Sequence, residues 1–474
     1  MPYTYYITDC SQTSFEDCYY AGKIGGVVVK PMEAGDTIVL PAGSGSWGNS
    51  ARFNSGRIYL ILPINVRGQG DSTIISIESS GSLNGVINLW SDVNWADMKI
   101  LGPNSGGPAA FSSNGYNNSG VTGGINYVGG FRITNVTYIG GTAGAYFMRV
   151  TVYGLIDNCR LTGGSGNSEL IFMNGPTNAW TLNNTLGTFN NVYIEDCTFD
   201  GQGYVCDANS NAYMVVRFCT INGTIKADGH GVASNTPARS VRNIEVYNNT
   251  WTSADISGWT AIEMRGGVCR VFNNTITGTR GAFFLTDYGY LATWPNFSNL
   301  YQTPTYYPIK DQIGVGKDPK VAGSEPTYVW GNKRSTNPWQ RDLKVIPAAA
   351  ITQYQTETSN PSATFDEQTM IQANRDFYAD SGFDTGGTGL SIGTRAQMDA
   401  LTPAFAKYGF WVTDEGTWNK TPGGQQGRLY TWSGSAWTLN YEPYTYPHPE
   451  RGIVYLQKTL KRLGRRLKLR GLSG

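Results

Sequence analysis

The sequence predicts an all-β chain: a solenoid of stacked parallel coils, followed by a small antiparallel β module and a short basic amphipathic tail. Three observations carry this reading. The first is composition. Gly supplies 60 of 474 residues and aromatics 13%, while charged residues fall to 15%, against about 7% Gly and about 25% charged in ordinary globular chains. A long helical protein would need more Ala, Glu, Lys and Leu. Disorder is excluded by 40% hydrophobic residues and a net charge of only +1, which together support a packed core. Length alone suggests about three domains, but repetitive β architectures spend the same length on one.

The second observation is a six-residue repeat: apolar, two variable positions, small or Asn, polar, apolar. It occupies residues 133–138, 156–161, 194–199, 216–221, 246–251 and 271–276, with a weaker copy at 95–100. Successive copies start 38, 23, 38, 22, 30 and 25 residues apart. The short intervals set the period of one coil, and the longer ones are a coil with a loop inserted.

The third observation is the fourth position of that repeat, which reads Met98, Val136, Cys159, Cys197, Cys219, Asn249, Asn274. Like residues in one column are what parallel coils produce at a strand spacing of about 4.8 Å. Stacked Asn side chains bond along such a ladder, and thiols there act as small apolar groups. The Asn-Asn-Thr triplets also match glycosylation acceptors, but the column accounts for their positions. Of seven Cys, Cys10 and Cys18 are close enough in sequence to pair, and the others read as buried thiols.

A further strand precedes several copies, at 145–149, 170–174, 231–235, 261–265 and 282–286. In Ala261-Ile262-Glu263-Met264-Arg265 the alternation sends Ile262 and Met264 inward and Glu263 and Arg265 outward. Gly163-Gly164 and Gly266-Gly267 mark turns that need positive φ. Gly35-Asp36-Thr37-Ile38-Val39-Leu40-Pro41-Ala42-Gly43 and Gly68-Gln69-Gly70-Asp71-Ser72-Thr73-Ile74-Ile75 resemble the first two coils of the right-handed parallel β-helix, or pectate-lyase-like, superfamily. The resemblance runs from about residue 20 to 305. It implies a right-handed parallel β-helix, and members include polysaccharide lyases, glycoside hydrolases, phage tailspikes and adhesins. Fold alone does not choose among them.

The division expected is an N-terminal cap (1–34), the parallel β-helix (35–305), an extension packed on it (306–385), an aromatic β module (386–446) and a basic tail (447–474). Pro-rich aromatic segments fill 291–345, and a short helix is expected over 365–380. In the module, Phe410-Trp411-Val412-Thr413 and Leu429-Tyr430-Thr431-Trp432 alternate, and Ser433-Gly434-Ser435-Ala436 turns the chain into Trp437. Trp411, Trp432, Trp437 and Tyr430 are the candidate glycan-stacking residues; the alternative is that these rings form the module's own core. The segment Tyr444-Thr445-Tyr446-Pro447-His448-Pro449 resembles a closing motif of secreted bacterial β-helix proteins, with His448 structural.

The last 24 residues carry eight Lys or Arg and no acid, so residues 1–450 carry −7. Ile453, Leu456, Leu460, Leu463 and Leu467 are spaced 3, 4, 3, 4, an a/d seam ringed by cations. This reads as a docking or oligomerising helix, with an amphipathic anchor to an acidic or membrane surface and a disordered tail as alternatives. The acidic bulk offers no nucleic-acid groove. No apolar run is long enough to span a membrane, and the N-terminus lacks the basic and apolar regions of a signal peptide.

Chemistry concentrates in Lys226-Ala227-Asp228-Gly229-His230-Gly231, with Glu263, Arg265 and Asp287 following. Gly229-His230-Gly231 resembles a short motif of polygalacturonase-type glycosidases, although their paired Asp residues are missing. The candidate catalytic set is Asp228, His230, Glu263 and Arg265. Hydrolysis would use Asp228 and Glu263 across the scissile bond. β-Elimination from a uronate would use His230 or Lys226 as base and Arg265 to hold the enolate. The alternative is an ordinary turn entering a coil. No metal-ligand set or cofactor motif is found, beyond loop carboxylates suited to structural Ca2+.

The function expected is a phage virion surface protein (spike, fibre or decoration subunit) directed at host or environmental glycans. It would stand on the virion surface or outside the cell, as a homo-oligomer or docked through residues 451–474. The rivals are a secreted polysaccharide lyase or glycoside hydrolase, and an architectural subunit that binds no glycan.

Overall fold

The computed structural model describes residues 2–48, 57–78, 86–89, 92–103, 110–112, 130–140, 146–149, 153–163, 169–175, 179–209, 211–228, 240–252, 260–277, 281–285, 312–318, 321–334, 341–342, 371–381 and 389–452. The chain is mostly β. Among the described residues one sheet links 24 strands, and a separate four-stranded sheet lies near the C-terminus.

The large sheet is organised as parallel ladders. In the first ladder, Thr4–Tyr6 pairs with Thr37–Val39 and then with the start of Asn65–Ile77. It continues through Asn94–Leu101, Phe131–Ile139, Gly154–Asp157, Val192–Glu195, Tyr213–Arg217, Asn243–Tyr247, Val268–Phe272, Thr327–Trp330 and Phe377–Ala379. A second ladder runs through the strands that follow each repeat's fourth position: Arg160–Thr162, Thr198–Ala208, Thr220–Ala227, Thr250–Trp251, Thr275–Ile276 and Lys333–Arg334. A third joins Tyr146–Arg149, Ile171–Asn174, the ends of Thr198–Ala208 and Thr220–Ala227, Thr260–Met264, Gly281–Leu285 and Arg341–Asp342. The strands expected at 145–149, 170–174, 261–265 and 282–286 fall in this third ladder; the one at 231–235 lies outside the described residues.

The bend between the first two ladders follows from one backbone conformation. Its first residue is left-handed in eight successive repeats: Asp97, Asn135, Asn158, Asp196, Phe218, Asn248, Asn273 and Gly331, all with φ between 52° and 63°. Asn, Asp and Gly tolerate that region at least cost. Next comes the column residue, whose side chain turns inward; from Cys159 on it bonds to the carbonyl that opens the preceding repeat. Cys159, Cys197 and Cys219 reach the Ile133, Ile156 and Ile194 carbonyls at 3.7 Å. Asn249, Asn274 and Asn332 reach those of Val216, Val246 and Val271 at 2.9–3.0 Å. Each Asn Oδ1 also accepts the backbone N–H of the preceding column residue, Cys219, Asn249 or Asn274. The register read from the sequence therefore holds, and Asn332 extends it by a coil. All seven Cys are free and buried, Cys10 and Cys18 included, so no disulfide joins that pair.

The N-terminal end is closed by helix Gln12–Ala21. Ser11 caps it by accepting from Ser14 N–H, and Gly22 ends it with φ 63°. A Cβ at Gly22 would sit 1.8 Å from the Lys30 carbonyl oxygen, so only glycine fits. Phe15 of this helix packs on Trp47 at 5.0 Å and on Trp95 at 6.0 Å, covering the open end of the core.

Three boundaries shift from expectation. Strand Thr4–Tyr6 belongs to the first ladder, so the N-terminal segment is more than a cap. The described parts of the expected extension at 306–385 contain four further ladder strands; of the helix expected at 365–380 only 371–380 is described, and it holds turns and strand Phe377–Ala379. The third shift concerns residues 444–452, described next.

The small sheet orders Leu390–Gly393, Gly409–Val412, Arg428–Trp432 and Trp437–Tyr441. Its last three strands are antiparallel, as the hairpin signal predicts, but the first pair is parallel. Helix Arg395–Asp399 makes the crossover, opened by a capping box between Thr394 and Gln397. The module packs on the outward face of the first ladder, where Tyr247, Phe272 and Trp330 stack at 4.4–4.5 Å. From it residues 444–452 run back across the same face as a strap. Tyr446 stacks on Phe218 at 3.6 Å, and Arg217 donates to the Tyr444 and Thr445 carbonyls. Arg451 pairs with Glu195 at 2.7 Å and with Asp196. The boundary placed at 447 therefore falls inside a segment that belongs to the sheet.

Candidate functional site

The third ladder carries the charged residues singled out in the sequence. Its register sets Phe172, Asp207, Lys226 and Glu263 in one outward column. Asn209, Asp228 and Arg265 follow one position beyond the described strand ends, each N–H bonded to the coil before. The inward partners are apolar: Cys206, Ile225 and Ile262 are fully buried. Alternation thus forces the charges to the opposite side, where three acids and two cations meet.

The geometry is dense. Lys226 Nζ lies 2.6 Å from Asp207 and 3.2 Å from Asp228. Arg265 lies 2.6 Å from Glu263 and 3.5 Å from Asp228. Tyr204 joins the two groups: its hydroxyl is 3.4 Å from Glu263 and 3.2 Å from Arg265, and Lys226 sits 4.0 Å above its ring. Asn209 donates to Asp228 at 3.3 Å. All of these side chains are more than nine-tenths buried.

Burial pushes the Asp207 carboxyl well up from the ordinary aspartate value, with the Asp228 charge adding to it and Lys226 opposing. Burial works against the Lys226 ammonium too, but Asp207 and Asp228 outweigh it and hold the lysine above its usual value. Such an arrangement keeps a proton between Asp207 and Lys226 in a dry setting. It has the parts of an acid–base pair beside a cation, and equally those of a closed structural ion-pair network.

Three of the four candidate catalytic residues, Asp228, Glu263 and Arg265, are therefore brought together; His230 lies outside the described residues, as does Asp287. Sequence reading missed Asp207 and Tyr204. Asp207 follows the alternation of Val205-Cys206, but no copy of the repeat marks its strand. Among the described residues no group of three His, Cys, Asp or Glu is arranged to hold a metal ion.

The four aromatic candidates divide. Tyr430, Trp432 and Trp437 are partly exposed on the outer side of the module, with the two indoles 5.4 Å apart at 63°. Arg395 lies 5.3 Å from the Tyr430 ring. Trp411 is corrected: it is 2% exposed and wedged 5.2 Å from Phe272 and 4.9 Å from Trp330. Its strand neighbours alternate, so it points at the large sheet and offers no face to a sugar. Ile453, Leu456, Leu460, Leu463 and Leu467 lie outside the described residues. His448 is buried against Tyr193 and Tyr444, its N–H donating to Glu195.

No helix among the described residues is long and apolar enough to cross a membrane. No protein-family model matches the chain, and no curated protein matches it.

Proposed function

We propose that the ladders are the faces of one right-handed parallel β-helix, and that the chain is a virion surface subunit directed at host or environmental glycans. The observation that carries this reading is the contrast between its two candidate sites. The charged cluster on the third ladder is closed off in mutual ion pairs. Tyr430, Trp432 and Trp437 keep part of their surface exposed, with Tyr430 and Trp437 also packed against Phe410 and Met398, on a module clamped to the sheet by aromatic packing and by the strap. A rigid aromatic face binds sugar rings with little ordering cost. In this role the protein acts outside the cell as a homo-oligomer or as part of a larger particle, with the basic tail as its attachment point.

The test is a glycan array with wild type and the Trp432→Ala/Trp437→Ala double variant. Wild type is expected to retain a defined glycan set and the variant to lose about tenfold or more in affinity, the loss of one to two stacking contacts. Equal binding by both would remove the module from glycan recognition.

A second reading, a polysaccharide lyase or glycoside hydrolase, is favoured by the convergence of Asp228, Glu263 and Arg265. It requires product release from a polysaccharide panel that collapses in Glu263→Gln or Asp228→Asn. Lack of turnover by wild type on neutral and uronate-containing polymers would leave the cluster its structural role.

A further inference from the structure

The outward face of the first ladder changes character along its length. Over its later coils it is aromatic and lies under the module, and over its middle coils it is charged and lies under the strap. Over its first four coils nothing described covers it, and there the face forms a trough of about 670 Å³ that ends against Arg132, Arg451 and Gly452. Register builds the floor from two rows: Thr4, Thr37, Asn65 and Asn94 in one, Tyr6, Val39, Arg67 and Ala96 in the other. We propose that this trough is a second glycan subsite, taking a short stretch of neutral oligosaccharide laid across the strands; the proposal rests on the glycan-directed reading above.

Three features select that ligand class. First, the hydrogen-bonding groups are uncharged and under-used. Asn65 donates to Thr37 Oγ1 and Asn94 donates to Asn65 Oδ1, each at a long 3.4 Å. The chain of amides stops at Asn94 Oδ1, which is buried without a partner. Thr, Asn and their neighbours thus repeat at the strand spacing of about 4.8 Å, close to the advance of one pyranose ring along a chain. Second, the floor also carries Val39 and Ala96, and Tyr6 stands 68% exposed at the far end. A pyranose presents the same mixture, an apolar ring face edged with hydroxyls.

Third, the cations of the trough are already neutralised. Arg67 is 2.8 Å from Asp97, Arg132 is 2.8 Å from Asp157, and Arg451 is 2.7 Å from Glu195. No surplus positive charge remains for an anionic polymer or nucleic acid, which bind through unpaired Lys and Arg. An extended peptide is also a poor match. Peptides add to sheets at a free edge; under the trough only Thr4–Tyr6 has a side left without a described partner strand, so strand addition would extend the sheet at that end and would not fill the face across the other strands.

The experiment uses the full-length protein with neutral tetra- to hexasaccharides of hexose and N-acetylhexosamine, and uronate oligomers as the acidic comparison. Binding is read by calorimetry for wild type, Tyr6→Ala, Asn94→Ala, Val39→Arg and the Trp432→Ala/Trp437→Ala module variant. Hydrogen exchange at residues 4–6 and 37–39 reports the trough directly, and thermal melts confirm folding. Tyr6 and Val39 lie at the surface, so their variants keep the proposal testable if Asn94→Ala folds poorly. The expected result is protection at those residues by a neutral oligosaccharide, and an affinity loss of about tenfold in each trough variant. Unchanged affinity in Tyr6→Ala and Val39→Arg, with loss confined to the module variant, overturns the trough and leaves the module reading standing. Loss in the trough variants alone supports the trough and removes the module. Binding only to uronates, abolished by salt, overturns the neutral assignment, and binding to nothing overturns both.

Discussion

At the scale of single residues the fold turns on a two-residue bend repeated in eight coils. The left-handed residue opens the bend, and in the six repeats whose column residue is Cys or Asn that residue bonds to a carbonyl of the preceding repeat. Cys meets this need weakly, through a long S–H bond. Asn meets it fully, since its amide both donates to that carbonyl and accepts the neighbouring N–H. Asn274→Ala removes the acceptor of the Asn249 N–H, one of the two bonds of the Asn249 amide and the side-chain donor to the Val246 carbonyl, all in a dry core. A loss of at least about 2 kcal/mol is expected, from buried polar groups each costing about 1–3 kcal/mol when unpaired. Cys197→Ala should cost about 1 kcal/mol, as an ordinary small core change. Urea midpoints at unchanged m-value measure both, and equal losses would show that the Asn ladder adds nothing beyond packing. Desolvation raises the thiols of Cys159, Cys206 and Cys219 far above the ordinary value. At Cys197 burial acts the same way while its thiol neighbours pull against it. Phe218 is the exception among the left-handed residues, a bulky side chain where Asn or Asp stands elsewhere. Its stack on Tyr446 supplies a reason to keep it.

At the scale of elements, an ion pair holds the segment that enters strand Thr327–Trp330 against the first ladder. Glu325 makes a two-pronged bridge to the fully buried Arg242 at 2.9 and 3.1 Å, and accepts from Asn184 at 3.0 Å. Burial alone would raise the Glu325 carboxyl, but the Arg242 hydrogen bonds and charge outweigh it and leave it below its ordinary value of 4.5. A lowered folded pKa contributes stability that is fully present above 4.5 and is lost as pH falls through the lower folded value. Glu325→Gln should therefore destabilise the protein by about 1.5–3 kcal/mol at neutral pH, the worth of charge-assisted bonds in a partly exposed site. The gap between variant and wild type should close as pH drops below 4.5. Denaturant titrations from pH 7 downward measure it, and a gap independent of pH would assign the effect to shape rather than charge.

At the scale of the whole molecule, the strap decides where the tail begins. Residues up to Gly452 are part of the folded body, because Arg451 neutralises the buried Glu195 and the neighbouring Asp196, and His448 fills the space beside Tyr193. Deleting 453–474 keeps every described contact of His448 and Arg451 and should leave the melting temperature within about 2 °C of the full chain. Deleting 444–474 should lower it by several degrees, since Glu195 and Arg217 lose partners while buried. Light scattering and incorporation into the parent particle then test attachment with the first truncation, whose fold is intact. Full incorporation without residues 453–474 would defeat the docking role of the leucine seam.

Periodicity alone was enough to place the parallel ladders, the Cys–Asn column and the inward–outward alternation around Glu263, because each is a local pattern repeated until chance is excluded. A closer reading would also have found the left-handed bend, since six of the seven residues before the column positions are Asn or Asp. The Thr394–Gln397 capping box likewise announced the helix that makes the module's first strand pair parallel. Other features had no local signal. Asp207 joins Lys226 only because two coils of unequal length come into register. Trp411 and Trp437 alternate alike in their strands, and only the docking of the module buries the first and leaves the second half open. The trough lies beyond Gly452, the last described residue of the strap, over the N-terminal strands of the ladder. Stacking follows from the sequence because neighbouring coils repeat one pattern; what covers each outer face does not, because it depends on segments 196 to 253 residues apart meeting in the folded chain.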